Sequence, residues 1–320
     1  MENHKRKLGR TEIEITPIGL GVMQFAGGKG VFRVMFPEVT QAAMDDIIHT
    51  ALESGINWFD TAELYGGGRS EQGLANALKA AGKTDEDVVI ATKWSPFLRT
   101  ASNIPHTIAK RQKFLAPYNI DLYQVHQPVS FSSPEAEMEA MADLVEAGKI
   151  RSVGVSNFNA DQMCRAHAAL AKRGLPLASN QVQYSLTERS IETDGILEAA
   201  KKLGITIIAW SPLASGLLSG KFHKDPDALA KTPFGRRLRF KRKLEQTAPL
   251  ISALEEIAAE HQATTAQVAL NWLINYAGET VVAIPGASKA RQAADSAGAM
   301  TFSLTEKEMA RIDEMTLRYR

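Results

Sequence analysis

Apolar positions along the chain follow two alternating rhythms. Short runs rich in β-branched and aromatic residues recur through the sequence, and stretches with apolar residues at helical spacing separate most of them. Eight runs read as strands, at residues 18–21, 57–60, 88–91, 121–125, 152–155, 179–182, 206–209 and 281–284. They are short and read as buried on both faces, the pattern of parallel strands covered by helices. Between them, Met44, Ile47, Ile48, Ala51 and Leu52 fall on one helical face, and Gly55 follows as a left-handed stop. Ser133-Pro134-Glu135 opens another helix with a cap, a proline at the first position and an acid in the first turn, ahead of Met138, Met141, Leu144 and Val145. Thr305 with Glu308 forms a capping box for the last helix.

Eight strands alternating with helices, with no linker dividing residues 1–320, predict a single domain of the α/β class, a (β/α)8 TIM barrel. Two segments lie outside this rhythm. Residues 7–15 read as an N-terminal β-hairpin closing the barrel floor. Residues 219–248 read as a long polar loop after strand seven, and within it six of the eight residues 236–243 are basic, a solvated run or a latch over a cofactor.

Composition narrows the partners. The 37 Lys and Arg nearly balance the 36 Asp and Glu, which disfavours nucleic acid or an anionic membrane and leaves a small molecule as the partner. Monomer and homo-oligomer both remain open. The single cysteine, Cys164, rules out an intramolecular disulfide and any CxxC site, and beside Met163 and Leu170 it reads as a small packed thiol. No apolar run suits a signal peptide or a bilayer span, so a cytoplasmic location is expected, and no residue is assigned to a metal. Gly27-Gly28-Lys29-Gly30 lacks the spacing of a phosphate loop and reads as a flexible rim loop.

In such a barrel the reactive groups sit at the C-terminal ends of different strands, because only that rim is built of variable loops on a fixed frame. Asp60 ends the second candidate strand, Tyr65 follows in its loop, Lys93 lies at the end of the third and His126 at the end of the fourth. Together they suit protonation of an alkoxide as hydride reaches a carbonyl carbon. A phenol with a pKa of roughly 10 is a weak acid at neutral pH unless nearby positive charge favours its anion. Lys93 can supply that charge, Asp60 can hold the lysine ionised, and a neutral His126 can orient the carbonyl oxygen. Asp121 and Tyr123 read as supports of the barrel.

The stretches Asp60-Thr61-Ala62-Glu63-Leu64-Tyr65-Gly66, Ala91-Thr92-Lys93-Trp94, Leu122-Tyr123-Gln124-Val125-His126 and Gly154-Val155-Ser156-Asn157-Phe158 resemble the signatures of the aldo-keto reductases, in a branch that includes the potassium-channel β subunits. The resemblance runs from about Leu8 to the final helix. It implies an NADPH-dependent oxidoreductase with Asp60, Tyr65, Lys93 and His126 as its catalytic tetrad, binding NADP(H) in preference to NAD(H). It further implies that Ser156, Asn157 and Gln181 hold the nicotinamide carboxamide, that Trp210 stacks on the ring and that Gly21 lies beside the cofactor. Ser211, Leu213, Gly216, Ser219, Gly220 and Lys221 correspond to the pyrophosphate segment, and Gly286, Ser288, Lys289 and Gln292 to the adenosine 2′-phosphate segment. Gly286 and Gln292 stand where many NADPH-specific members carry Lys and Arg. Positive charge is then left to Lys289, Arg291, Arg236 or Arg237. Met23, Gln24, Phe25, Trp94 and Leu98 are expected to line an apolar substrate mouth. A redox-sensing regulatory subunit with slow turnover is the alternative, and a complete tetrad including His126 speaks against it. A Schiff-base lyase built on Lys93 would leave Gln181 and Trp210 unexplained.

Overall fold

The computed structural model describes residues 5–28, 37–225, 227, 229 and 234–320, with backbone alone at 234–236, 238, 239, 241 and 242. Two short strands, β1 (Arg6–Lys7) and β2 (Glu14–Ile15), pair antiparallel as the predicted hairpin. Eight further strands pair in parallel in chain order: β3 (Leu20–Gly21), β4 (Trp58–Asp60), β5 (Val89–Trp94), β6 (Leu122–Val125), β7 (Ser152–Ser156), β8 (Leu177–Gln183), β9 (Thr206–Trp210) and β10 (Val281–Ile284). Bridges Ile18 to Ala283 and Gly21 to Gly286 join the first and last, so the sheet closes into a barrel. Gly19 N donates to Ala283 O at 2.9 Å across this seam.

Ten helices of eight residues or more surround it: α1 (Gln41–Glu53), α2 (Arg69–Ala80), α3 (Ile104–Leu115), α4 (Pro134–Glu146), α5 (Ala160–Ala171), α6 (Ile196–Leu203), α7 (Phe234–Glu260), α8 (Thr265–Tyr276), α9 (Ala290–Gly298) and α10 (Glu306–Thr316), counted among the described residues. The predicted signals operate where the sequence places them. α1 buries Met44, Ile47, Ile48 and Ala51, the Ser133 side chain accepts from Ala136 N at the start of α4, and Thr305 and Glu308 form both bonds of the capping box of α10.

Alternation along each strand divides the core in two. Phe59, Ile90, Tyr123, Val153, Val155, Ile207 and Val281 pack outward in the large cluster beneath the helices. Trp58, Ala91, Leu122, Ile208 and Val282 form an inner cluster with Leu8, Ile13 and Ile15 of the hairpin, which therefore plugs the barrel floor. Above this apolar layer the inward positions become polar, and the site begins there.

Two expectations need adjusting. The long connection after the seventh barrel strand is present, but much of it is helical: a single turn at Lys221–Lys224 is followed by α7, whose first turns contain the basic run. Its polar start hid it, although Leu250, Ile251, Leu254 and Ile257 further along are buried at helical spacing. Within the basic run, Phe240 is buried and its ring lies 5.4 Å from that of Phe222. Cys164 is exposed, because Met163, Ala166 and Leu170 form the buried face of α5 and position 164 falls beside that stripe. Lys29 and Gly30 of the glycine-rich segment lie outside the described residues, and no described helix is long and apolar enough to cross a membrane.

Candidate active site

Residues two apart on a strand share a face, so β4, β5 and β6 each carry an apolar residue low in the barrel and a polar one above it: Trp58 and Asp60, Ala91 and Lys93, Leu122 and Gln124. His126 continues the parity of Leu122 and Gln124 just beyond β6. Lys93 has no exposed surface and Asp60 almost none. Lys93 Nζ donates to Asp60 Oδ1 at 2.5 Å and to Thr61 O at 2.8 Å. Asp60 Oδ2 accepts from Gln181 Nε2 at 2.9 Å and Gln124 Nε2 at 3.2 Å. Three donors from three other strands thus converge on one carboxylate. Gln124 was not among the predicted site residues, and the signal for it was a polar side chain at inward parity in an otherwise apolar strand.

Tyr65 sits in the loop after β4. That loop is tied down by Thr61 N to Ala91 O at 2.9 Å and Glu63 N to Lys93 O at 3.1 Å. After Tyr65 the chain turns through Gly66, Gly67 and Gly68, all at positive φ, and a Cβ on Gly68 would lie 2.1 Å from the Phe114 ring. Tyr65 is half-buried, with Lys93 Nζ 5.1 Å from its ring centroid and the His126 ring edge-on at 5.6 Å.

Burial holds the Tyr65 phenol above its ordinary range; Lys93 pulls it down and Asp60 pushes it up. A net lowering by Lys93 was the expectation, but burial outweighs the ammonium, and Asp60 adds to the rise. Tyr65 is therefore in its proton-carrying form at neutral pH. Burial alone would depress the Lys93 ammonium, yet Asp60 and Tyr65 raise it, so it stays charged. Burial and the Lys93 charge lower His126 to about 3, which makes its imidazole neutral. Its Nδ1 is buried and has no hydrogen-bond partner among the described residues.

A second group of polar side chains adjoins the first through β7 to β9. Asn157, at φ 60°, donates from Nδ2 to Ser156 Oγ at 3.0 Å and to His126 O at 3.3 Å. Its Oδ1 accepts from Trp210 Nε1 at 3.0 Å, and Ser156 Oγ donates to Gln181 O at 2.9 Å. Beyond Trp210 the backbone takes positive φ at Ser211, Ala214, Ser215, Gly216 and Gly220, three of them non-glycine and costing roughly 1 kcal/mol or more each. Leu213 is half-buried there, Ser219 Oγ donates to Gly216 O at 2.8 Å, and Lys221 is exposed. On the neighbouring strand end, Gly21 N donates to Pro285 O at 3.1 Å, and a Cβ on Gly286 would lie 2.2 Å from Gln24 Nε2. Gln292 Oε1 accepts from Ser288 N at 2.8 Å and Ser288 Oγ at 3.1 Å, ordering the start of α9 between exposed Lys289 and Arg291. Arg237 is exposed on α7, and the side chain of Arg236 lies outside the described residues.

The apolar mouth differs from expectation. Met23 is half-buried, but Phe25 and Trp94 have no exposed surface and belong to the core. Trp94 follows Lys93 and so faces the opposite way, where its Nε1 donates to Asn103 Oδ1 at 3.1 Å. Two ion pairs support the site without having been anticipated. Glu63 is bound by Arg99 Nη1 at 3.0 Å and by Ser95 N at 3.0 Å. Glu71, fully buried, pairs with Arg111 Nη1 at 3.2 Å and accepts from Thr92 Oγ1 at 2.7 Å. Burial pushes the Glu71 carboxyl up to about 7 against the pull of Arg111 and Thr92.

Residues 17–316 match the profile of the aldo/keto reductase family. This chain belongs to that family. As a member it is an oxidoreductase acting on small carbonyl compounds, in a family that uses nicotinamide cofactors. The aldo/keto reductase is 35% identical over 291 residues to the chloroplastic pyridoxal reductase of Arabidopsis thaliana, covering 85% of this chain and 77% of that protein. It is 32% identical over 320 residues to the aldo-keto reductase str7 of Strobilurus tenacellus, covering 97% and 91%. Among solved structures, the thermostable aldo-keto reductase Tm1743, crystallised with the inhibitor epalrestat, superposes with a TM-score of 0.77 at 32% identity over 98% of this chain and 99% of that one.

Proposed function

We propose that the enzyme reduces aldehydes and ketones to alcohols with NADPH, and that Tyr65 delivers the proton. The observation that carries this reading is the meeting, at one point of the rim, of a protonated phenol, a buried ammonium held by a carboxylate, and a neutral imidazole. When bound, the reduced nicotinamide supplies the hydride. Tyr65 protonates the alkoxide oxygen as it forms, and Lys93 stabilises the phenolate left behind. Asp60 keeps Lys93 charged and in place. His126 is neutral, so it holds the carbonyl oxygen by hydrogen bonding without adding charge.

The residues toward β9 and β10 fit such a cofactor. Trp210 is half-buried with its indole edge fixed by Asn157, which suits it as a stacking surface, while Ser156, Asn157 and Gln181 present amide and hydroxyl groups for a carboxamide. Exposed Lys289 is the N-cap of α9 and exposed Arg291 lies in its first turn, where positive charge and helix N–H groups favour a phosphate. That pair supports NADP(H) over NAD(H), despite Gly286 and Gln292. We read residues 1–320 as one barrel domain working in the cytoplasm.

Tyr65→Phe is expected to lower kcat for a test aldehyde by about 10³-fold while leaving the Kd for NADPH unchanged. A screen of carbonyls, pyridoxal among them because of the plant relative's name, run with NADPH and NADH in parallel, measures substrate and cofactor together. A Tyr65→Phe enzyme with undiminished kcat refutes the assignment.

A further inference from the structure

Isolated exposed apolar side chains mean little, but a cluster at a site mouth carries information. Among the described residues six large hydrophobic side chains are exposed, and five of them lie on the three consecutive loops after β4, β5 and β6: Leu64, Phe97, Leu98, Val129 and Phe131. Tyr65 is on the first of these loops, Lys93 precedes the second by one residue within β5, and His126 opens the third. Phe97 and Phe131 are 69% and 72% exposed, so neither serves the core.

The loops are nonetheless fixed to one another. Phe131 N donates to Arg99 O and Ala101 N to Ser132 Oγ, both at 2.9 Å. Arg99 Nη1 donates to both Glu63 oxygens at 3.0 Å. Leu98, beside Arg99, is held at φ 56°, a left-handed conformation that a leucine adopts only under constraint, while its side chain stays 68% exposed. A tied, strained scaffold presenting apolar groups to solvent is organised for something outside the chain.

Charge narrows what that is. Across residues 61–68, 95–103 and 126–133 the only Asp, Glu, Lys or Arg are Glu63 and Arg99, and they neutralise each other. The rim therefore offers a carboxylate or phosphate no cation on these loops.

We infer that these loops bind the part of the substrate remote from the carbonyl, and that the substrates are neutral aldehydes or ketones bearing a long alkyl or aromatic group rather than sugar acids or phosphorylated carbonyls. This rests on the carbonyl-reductase reading. Steady-state kinetics at saturating NADPH with propanal, hexanal and octanal keep carbonyl reactivity constant while apolar length grows. The benzaldehyde and 4-carboxybenzaldehyde pair isolates charge. From propanal to octanal kcat/KM is expected to rise by about tenfold, chiefly through KM, and 4-carboxybenzaldehyde should fall below benzaldehyde. Phe97→Ala with Phe131→Ala, truncations at exposed positions that leave the core intact, should remove most of that rise. Three results overturn the inference in an enzyme that turns over propanal: no rise toward octanal, a rise that survives both truncations, or a preference for 4-carboxybenzaldehyde. Absence of turnover with every carbonyl, NADPH being bound, overturns the reductase reading itself and this one with it.

Discussion

Asp60→Asn is a near-isosteric change whose consequences follow from hydrogen-bond polarity. Asp60 has two acceptor oxygens facing three donors: Oδ1 takes Lys93 Nζ at 2.5 Å, and Oδ2 takes Gln181 Nε2 and Gln124 Nε2. Asparagine exchanges one oxygen for an NH2 group. In one rotamer that NH2 faces an ammonium, in the other two amide NH2 groups, so no orientation restores the network. The charge lost is the main term. At an effective dielectric of about 20, two unit charges at that separation attract by roughly 6 to 7 kcal/mol. Desolvation offsets part of this, and removing one partner of a buried pair typically costs about 3 to 5 kcal/mol. With an unfolding entropy of about 2.1 cal/mol/K per residue over 320 residues, that corresponds to a fall in Tm of roughly 4 to 7 °C. A fully buried Lys93 without its anion loses its proton more readily, so kcat for an aldehyde should fall more than about 100-fold. Thermal unfolding followed by circular dichroism and aldehyde turnover, both at pH 7, measure the two effects. The double change with Lys93→Met removes both charges and should recover part of the Tm but none of the activity. If Asp60→Asn melts within 2 °C of the parent and keeps kcat within about threefold, the carboxylate does not anchor the lysine.

Other predictions are shorter. His126 has a folded-state pKa of about 3, below its ordinary 6.5, so the unfolded chain takes the proton first and stability falls as pH drops through that window. Denaturant unfolding should show the wild type losing up to about 1.4 kcal/mol per pH unit relative to His126→Gln below pH 6.5 and nothing above it; parallel curves would contradict the depressed value. Lys289→Glu with Arg291→Glu should raise the Kd for NADPH by about 100-fold in fluorescence titration and leave NADH nearly unaffected, whereas equal losses for both would remove these residues from the 2′-phosphate site. Trp210→Ala should weaken both cofactors by about tenfold, and unchanged titrations would end its stacking role. Arg111→Met leaves Glu71 buried without its counter-charge and should lower Tm by several degrees at pH 8, where Glu71 would otherwise ionise, and by less at pH 6. A Tm loss independent of pH would mean that packing, not charge, dominates there.

How far the sequence foretold this site depends on whether one strand or several hold the information. Asp60, Lys93 and His126 were legible only as a set: each alone reads equally as a cap or a structural partner, but the barrel turns the ends of successive apolar runs to one rim, where they can meet. Gln124 was legible in principle, since it shares a face with Leu122 and aligns in register with Lys93. The Glu71 and Arg111 pair was not. On α2 and α3 each charge reads as a solvated surface residue until the helices are packed over Thr92. The first turns of α7 were hidden for a related reason, since a basic run without an apolar stripe carries no helical signal of its own.

The misplacement of Trp94 at the mouth has a geometric source. Trp94 is a neighbour of Lys93 in sequence, and neighbours on a strand face opposite sides of a sheet, so nearness to a reactive lysine argues against Trp94 meeting the substrate. The residues that can meet it come after the strand has ended, where period two lapses and loop contacts decide orientation: Phe97, Leu98 and Phe131. Those contacts, from Arg99 to Glu63 and from Phe131 to Arg99, join loops that follow three different strands. Under the proposed mechanism, strand parity places Asp60 and Lys93, whereas the loop after β4 places Tyr65 and loop-to-loop ties place the groups that would face the substrate. Substitutions on the three loops, such as Phe97 and Phe131, should therefore change which carbonyl is taken while the pH dependence of kcat, set at Asp60, Lys93 and Tyr65, stays where it was.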